Sequence, residues 1–173
     1  MITKEYIENL YAEVLRELSE KHPVELWKVE PSGLKFTDEK TKFGMARFDG
    51  VIFINTAFIG TEAKAKLNNT MRHEFAHLAA GLNNNHNKVF KRFARFFGCN
   101  PDIDLSEEIR QVIGKIDYKY MLVAHTSDGG RHEIGGAHRK SKKYANFGKA
   151  LRERYSYEVN GLKVVRFVYE PQK

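Results

Sequence analysis

Cysteine is almost missing from this chain. Cys99 is the only one in 173 residues, so neither a disulfide framework nor a cysteine-based zinc finger can form within one chain. No apolar run approaches the ~18 residues that a membrane span needs. The opening Met1-Ile2-Thr3-Lys4-Glu5 lacks the basic patch and apolar stretch of a secretory signal. These absences lead us to expect a reducing, intracellular, cytoplasmic setting and no membrane partner. There is no internal repeat, no low-complexity tract and no evident linker. What is present is globular in composition. Hydrophobic residues make up 42% and charged residues 29%, which argues against disorder over most of the chain.

The formal net charge is +7, and it is unevenly placed. Residues 1–110 hold 16 basic and 16 acidic side chains, whereas residues 111–173 hold 13 basic and 6 acidic. The whole excess therefore lies in the last third. A neutral body with a basic C-terminal part points to a polyanion partner for that part.

Periodicity divides the chain in the same way. Ile2, Tyr6, Leu10, Val14 and Leu18 recur every four residues and predict an amphipathic helix that ends at Pro23. Residues 26–55 read as short strands, at Leu26–Val29, Leu34–Phe36, Gly44–Phe48 and Val51–Asn55. The Asp49-Gly50 turn signals a hairpin between the last two. Helical spacing returns over 62–81, and Gly81 and the run Asn83-Asn84-Asn85 end it. A further helix is expected over 87–97, with Val89, Phe90, Phe93, Phe96 and Phe97 on its apolar side, and a short one from Ser106. Beyond residue 115 the pattern becomes β. Tyr118–Thr126 and Arg131–His138 flank one turn, and Tyr155–Val159 and Leu162–Tyr169 flank Asn160-Gly161. The expected fold class is α+β, a helical core with a small sheet followed by a basic antiparallel β extension. The expected domains are 1–115 and 116–173.

His73-Glu74-Phe75-Ala76-His77 carries the chemistry. Residues i and i+4 share a helix face, so both imidazoles can bind one zinc ion, and Glu74 beside them can take the proton of an activated water. Catalytic zinc commonly has three protein ligands. His86 is the favoured third, nine residues beyond His77 and past the Asn-rich turn. Glu107 or Glu108 on a later helix are the alternatives. Ala80 and Asn83 stand where the metzincin pattern would place its glycine and last histidine.

Residues 43–97 resemble the core of a SprT/Spartan-type metallopeptidase domain. The matching segments are Gly44-Met45-Ala46-Arg47-Phe48, Gly50-Val51-Ile52-Phe53-Ile54-Asn55, Thr70-Met71-Arg72-His73-Glu74-Phe75-Ala76-His77, and His86-Asn87-Lys88-Val89-Phe90. The resemblance implies a zincin-like helical core with a small β-sheet, zinc ligands at His73, His77 and His86, a general base at Glu74, and cleavage of proteins that are bound or crosslinked to DNA. The family usually has His-Gly where this chain has His86-Asn87, and Asn tolerates the left-handed backbone nearly as well. Many relatives end in a four-cysteine zinc ribbon. The corresponding region here, about 116–151, has no cysteine and looks like a ribbon that has lost its metal. One catalytic zinc is therefore expected. His125, His132 and His138 have no thiolates to join them, and the six-residue spacing from His132 to His138 does not place both rings on one helix face.

The nucleic-acid candidates are Arg139, Lys140, Lys142, Lys143, Lys149, Arg152 and Arg154, interleaved with Tyr144 and Phe147. The cations can neutralise phosphates, and the rings can stack on unpaired bases. Lys88, Lys91, Arg92 and Arg95 form a second basic strip after His86. Trp27 and Cys99 read as core. The expected function is a zinc endopeptidase with protein substrates and a DNA partner, single-stranded or structured. The alternatives are a nucleic-acid-binding module with a structural or vestigial zinc site, and a gluzincin-type peptidase with no DNA role.

Overall fold

Helix α1 spans Lys4–Lys21 in the computed structural model, which describes residues 1–100, 103–147 and 156–172. Thr3 caps it by accepting the Tyr6 N–H at 3.0 Å. Its buried line is Ile7, Leu10, Val14 and Leu18. Tyr6, expected in that line, is only half-buried. A strict four-residue step overshoots the 3.6-residue turn, so Ile7 takes the place.

The fold is α+β, and the chain divides into two units, Met1–Ile116 and Asp117–Lys173. In the first unit, strands β1 (Gly33–Thr37), β2 (Gly44–Ala46) and β3 (Val51–Asn55) form a sheet in the order β1-β3-β2. β1 runs parallel to β3, and β2 runs antiparallel to it. The central strand buries Ile52 and Ile54 completely. The Asp49-Gly50 turn forms as expected. Gly50 has φ +80°, and a Cβ there would lie 2.0 Å from the Glu30 carbonyl oxygen.

Helix α2 (Lys64–Ala80) carries the candidate motif, and Gly81 at φ +88° ends it. Leu67, Met71, Phe75 and Leu78 are fully buried. Trp27 packs on Phe75 and Phe97 at ring-centroid distances of 5.9 and 5.3 Å, and its Nε1–H donates to the His22 carbonyl at 2.9 Å. Leu26–Val29, expected as a strand, is not one. Val24–Leu26 forms a 3-10 turn, and the N–H groups of Lys28 and Val29 donate to the Ala79 and Leu78 carbonyls at 3.3 and 3.1 Å. These donors satisfy carbonyls at the end of α2 and so are unavailable to a sheet.

Helix α3 (Lys88–Phe96) is capped by Asn87, which accepts from the N–H groups of Val89 and Phe90. Phe90, Ala94 and Phe97 face the core, but Val89 and Phe96 are 43% and 53% exposed. The buried stripe follows the i, i+4, i+7 line, which leaves those two side chains on its flanks. Helix α4 spans Ser106–Ile113. Arg72 on α2 ties three helices together. Its guanidinium pairs with Glu17 of α1 at 2.5 and 3.1 Å and donates to the Phe97 carbonyl, just past α3, at 2.8 Å. This pairing pulls the Glu17 carboxyl down to about 2.

The second unit is a four-stranded antiparallel sheet in the order β5-β4-β7-β6. Its strands are β4 (Tyr120–Thr126), β5 (Arg131–Ala137), β6 (Glu158–Val159) and β7 (Leu162–Pro171). Asn160 and Gly161 make the β6–β7 turn with φ +54° and +76°. The basic stretch after β5, expected to keep a β outline, instead forms a one-turn helix α5 (Lys142–Ala145). Ser141 opens it by accepting the Lys143 N–H at 3.2 Å.

Phe75→Ala should cost roughly 3–5 kcal/mol, because it empties a fully buried ring site. Chemical denaturation read by Trp27 fluorescence measures this loss, and a cost under about 1 kcal/mol would contradict the packing described.

Candidate metal centre

His73 and His77 lie one turn apart on α2, so their rings share its open stripe. The chain must then turn back quickly to deliver a third ring. Leu82–Asn84 forms a 3-10 turn, and Asn85 adopts φ +45°. The asparagines satisfy the backbone that this reversal exposes. Asn84 Nδ2 donates to the Ala80 carbonyl at 2.6 Å, and Asn87 Nδ2 donates to Asn84 Oδ1 at 2.9 Å. Asn87 itself has φ −72° and serves as the α3 cap. The left-handed residue is therefore Asn85, and the expected left-handed backbone at 87 is not used.

The three Nε2 atoms converge. His73 lies 3.1 Å from His86 and 3.2 Å from His77, atom to atom. Tetrahedral coordination with metal–nitrogen bonds of about 2.0–2.1 Å requires ligand separations of about 3.3 Å. The three histidines thus lie close enough to bind one metal ion, and among the described residues they are the one such cluster. Phe90 forms the floor of the group. Its ring stacks on His77 at 4.2 Å and meets the His73 and His86 rings edge-on at 4.8 and 4.9 Å. Burial, with repulsion between neighbouring rings, holds His73 and His77 down to about 4. Both are therefore neutral ligands at neutral pH.

Glu74 lies on the adjoining stripe and is 6% exposed. Burial pushes its carboxyl up to about 7, against the pull of the Ala46 N–H and of Lys42 and Lys66. The Ala46 N–H donates to Oε2 at 2.9 Å, so edge strand β2 holds the carboxyl in place. That approach requires a glycine at 44. A Cβ there would lie 2.8 Å from Thr70 Cγ2 and 3.0 Å from Glu74 Cγ. Glu74 and the three histidines line one open cleft of about 490 Å3 between β2, α2 and the turn before α3.

The other candidates lie elsewhere. Glu108 accepts the backbone N–H of Lys66 at 2.7 Å, and Glu107 pairs with Arg110 at 3.3 Å. Neither joins the cluster. In the second unit, His132 contacts Thr126 Oγ1 and His138 stacks on Tyr118. Arg139, Lys140, Lys142 and Lys143 are exposed. Tyr144 and Phe147, expected as stacking platforms, are half-buried and meet the Phe167 ring edge-on at 4.8 and 4.9 Å. Lys149, Arg152 and Arg154 lie outside the described residues. Lys88, Lys91, Arg92 and Arg95 are exposed on α3. Cys99 is buried, and burial pushes its thiol up. No helix among the described residues is long and apolar enough to cross a membrane.

No family model, no curated protein and no solved structure matches this chain.

Among the cleft residues, Lys42, Phe43 and Lys66 escaped the sequence reading, and Gly44 and Thr70 were given no role in it. Lys66 and Thr70 precede His73 and Glu74 by seven and four residues, which puts them on the same helix stripe. That spacing was the available signal.

His86→Ala should weaken metal binding more than about a hundredfold, whereas Glu107→Gln and Glu108→Gln should leave it unchanged. Competition titration with a chromogenic chelator measures this, and equal losses in all three variants would remove His86 from the site. A second expectation concerns pH in the metal-free protein. Glu74 titrates at about 7 when folded, against 4.5 ordinarily, so its contribution to stability is full below about 4.5 and is lost as pH rises through 7. His73 and His77 have the opposite sign, since their lowered values cost stability as pH falls from 6.5 towards 4. Glu74→Gln should therefore raise the melting temperature relative to the native chain more at pH 8 than at pH 5. Equal shifts at both pH values would contradict the burial of an ionisable carboxyl.

Proposed function

We propose that this chain is a zinc-dependent endopeptidase acting on DNA-bound or DNA-crosslinked proteins. The observation that carries the reading is the convergence of three imidazoles beside a buried carboxyl in an open cleft. A site meant only to hold a structural metal has no use for the cleft or the carboxyl. Three imidazoles favour zinc among common intracellular ions. Zinc held by His73, His77 and His86 would polarise a water and the scissile carbonyl.

Glu74 does the proton work. It accepts a proton from the attacking water as the new carbon–oxygen bond forms. As the carbon–nitrogen bond breaks, it delivers that proton to the leaving amine. Its position near neutrality suits both transfers. The N–H of Ala46 keeps the carboxyl aimed while its charge changes. This arrangement resembles the SprT/Spartan type in ligand order and in the strand beside the motif helix.

The DNA part of the reading rests on charge. The basic excess lies in the last third of the chain, and Arg139, Lys140, Lys142 and Lys143 are solvent-exposed. Backbone phosphates are the fitting partner for such a run. With the nearby rings packed into the sheet, binding should depend on charge more than on base stacking.

The test is cleavage of a DNA-binding protein by zinc-loaded protein, with and without single-stranded DNA. About one zinc per chain is expected, with cleavage that DNA stimulates and that a chelator abolishes. Glu74→Gln should retain the zinc and lose about a hundredfold or more in rate. DNA binding with no cleavage in any arm would favour the nucleic-acid-binding module instead.

A further inference from the structure

Lys66 sits where a lysine is costly. It is the third residue of α2, and the positive end of the helix dipole disfavours a cation there. It is also half-buried, and burial pulls its ammonium below the ordinary range. Among the described residues no carboxylate comes within ion-pair distance of its Nζ. Glu108, close to its backbone, is engaged by the Lys66 N–H rather than the ammonium. Its ammonium rests on the Phe43 ring, with Nζ 4.7 Å from the centroid, and the Glu74 carboxylate across the cleft favours its charge without pairing with it.

One turn along the same stripe lies Thr70. It is 6% exposed, and its Oγ1 has no hydrogen-bond partner. Both side chains line the cleft that holds the histidines and Glu74, and Lys42 lines it as well. The cleft wall thus offers two ammonium groups, with Glu74 as its only acid. Two ammonium groups against one carboxyl leave this wall with an excess of positive charge, and the fitting partner for that excess is an anionic oxygen.

We infer that Lys66 and Lys42 form a subsite for a carboxylate of the bound peptide, so that the cleft selects acidic segments. The inference deepens the peptidase reading and rests on it. Lys66 precedes His73 by seven residues, a rise of roughly 10 Å along the helix, or about three residues of extended peptide. The selected Asp or Glu therefore lies within about three residues of the bond that is cut. A protein seated on DNA turns its basic face to the phosphates. A cleft that selects acidic segments would cut such a protein on the side facing away from the DNA.

The test uses the zinc-loaded full chain carrying Glu74→Gln, which binds without turning over. The probes are two fluorescein-labelled, alanine-based peptides, one with glutamate at every third position and one with glutamine in its place. Fluorescence anisotropy should show the glutamate peptide bound about tenfold more tightly at low salt. Adding Lys66→Met should abolish that preference, and Lys66→Arg should keep most of it. Equal affinity for the two peptides with Lys66 intact overturns the inference without any variant at position 66. Cleavage of both peptides by the native chain, with equal slowing by Lys66→Met, also overturns it and leaves the peptidase reading in place. A Lys66-dependent preference in binding with neither peptide cleaved by the native chain keeps the subsite and sinks the peptidase.

Discussion

Helix α2 has to be buried on most of its circumference and open along one stripe, and the first unit is arranged around that constraint. α1, α3, α4, β2 and β3 all pack on it. Leu67, Met71, Phe75 and Leu78 fill the core, and the open side is left to Lys66, Thr70, His73, Glu74 and His77. A helix enclosed in this way keeps its polar stripe in a fixed place, because any rotation would strip apolar area from several neighbours at once.

The polar contacts that hold this arrangement are few and specific. Arg72 joins α1 to α2 and to the end of α3. Lys28 and Val29 satisfy the last carbonyls of α2, and Glu108 satisfies an N–H in its first turn. The two ends of the motif helix are thus stitched to distant parts of the chain, so its register depends on tertiary bonds as well as on local propensity. On the cleft side, β2 meets Glu74 through one backbone N–H and a residue with no side chain, which brings the strand within touching distance of the helix.

Much of this was legible in the sequence, wherever the determining physics is local. The four-residue step from His73 to His77, the Asp49-Gly50 and Asn160-Gly161 turns and the asparagine-rich reversal before His86 all act over a few residues, and they formed where expected. The misreadings arose where the deciding partner is remote. Leu26–Val29 has strand composition, yet its donors go to a helix end some fifty residues later. The parallel pairing of β1 with β3, past β2, has no local signature. The contact of Tyr144 and Phe147 with Phe167 is likewise remote in sequence and had no local signal. Lys66 was passed over because a lone lysine is unremarkable until the ring of Phe43 and the cleft wall are seen around it.

The three histidines are not mounted alike. Two stand on a buried, rigid helix, while His86 is exposed and rides on a short turn whose shape rests on asparagine side chains. An ion seated there would therefore be released in order, with the turn letting go first while the helical pair keeps its grip. Loss of the ion would then begin at that turn and would not require opening of the core.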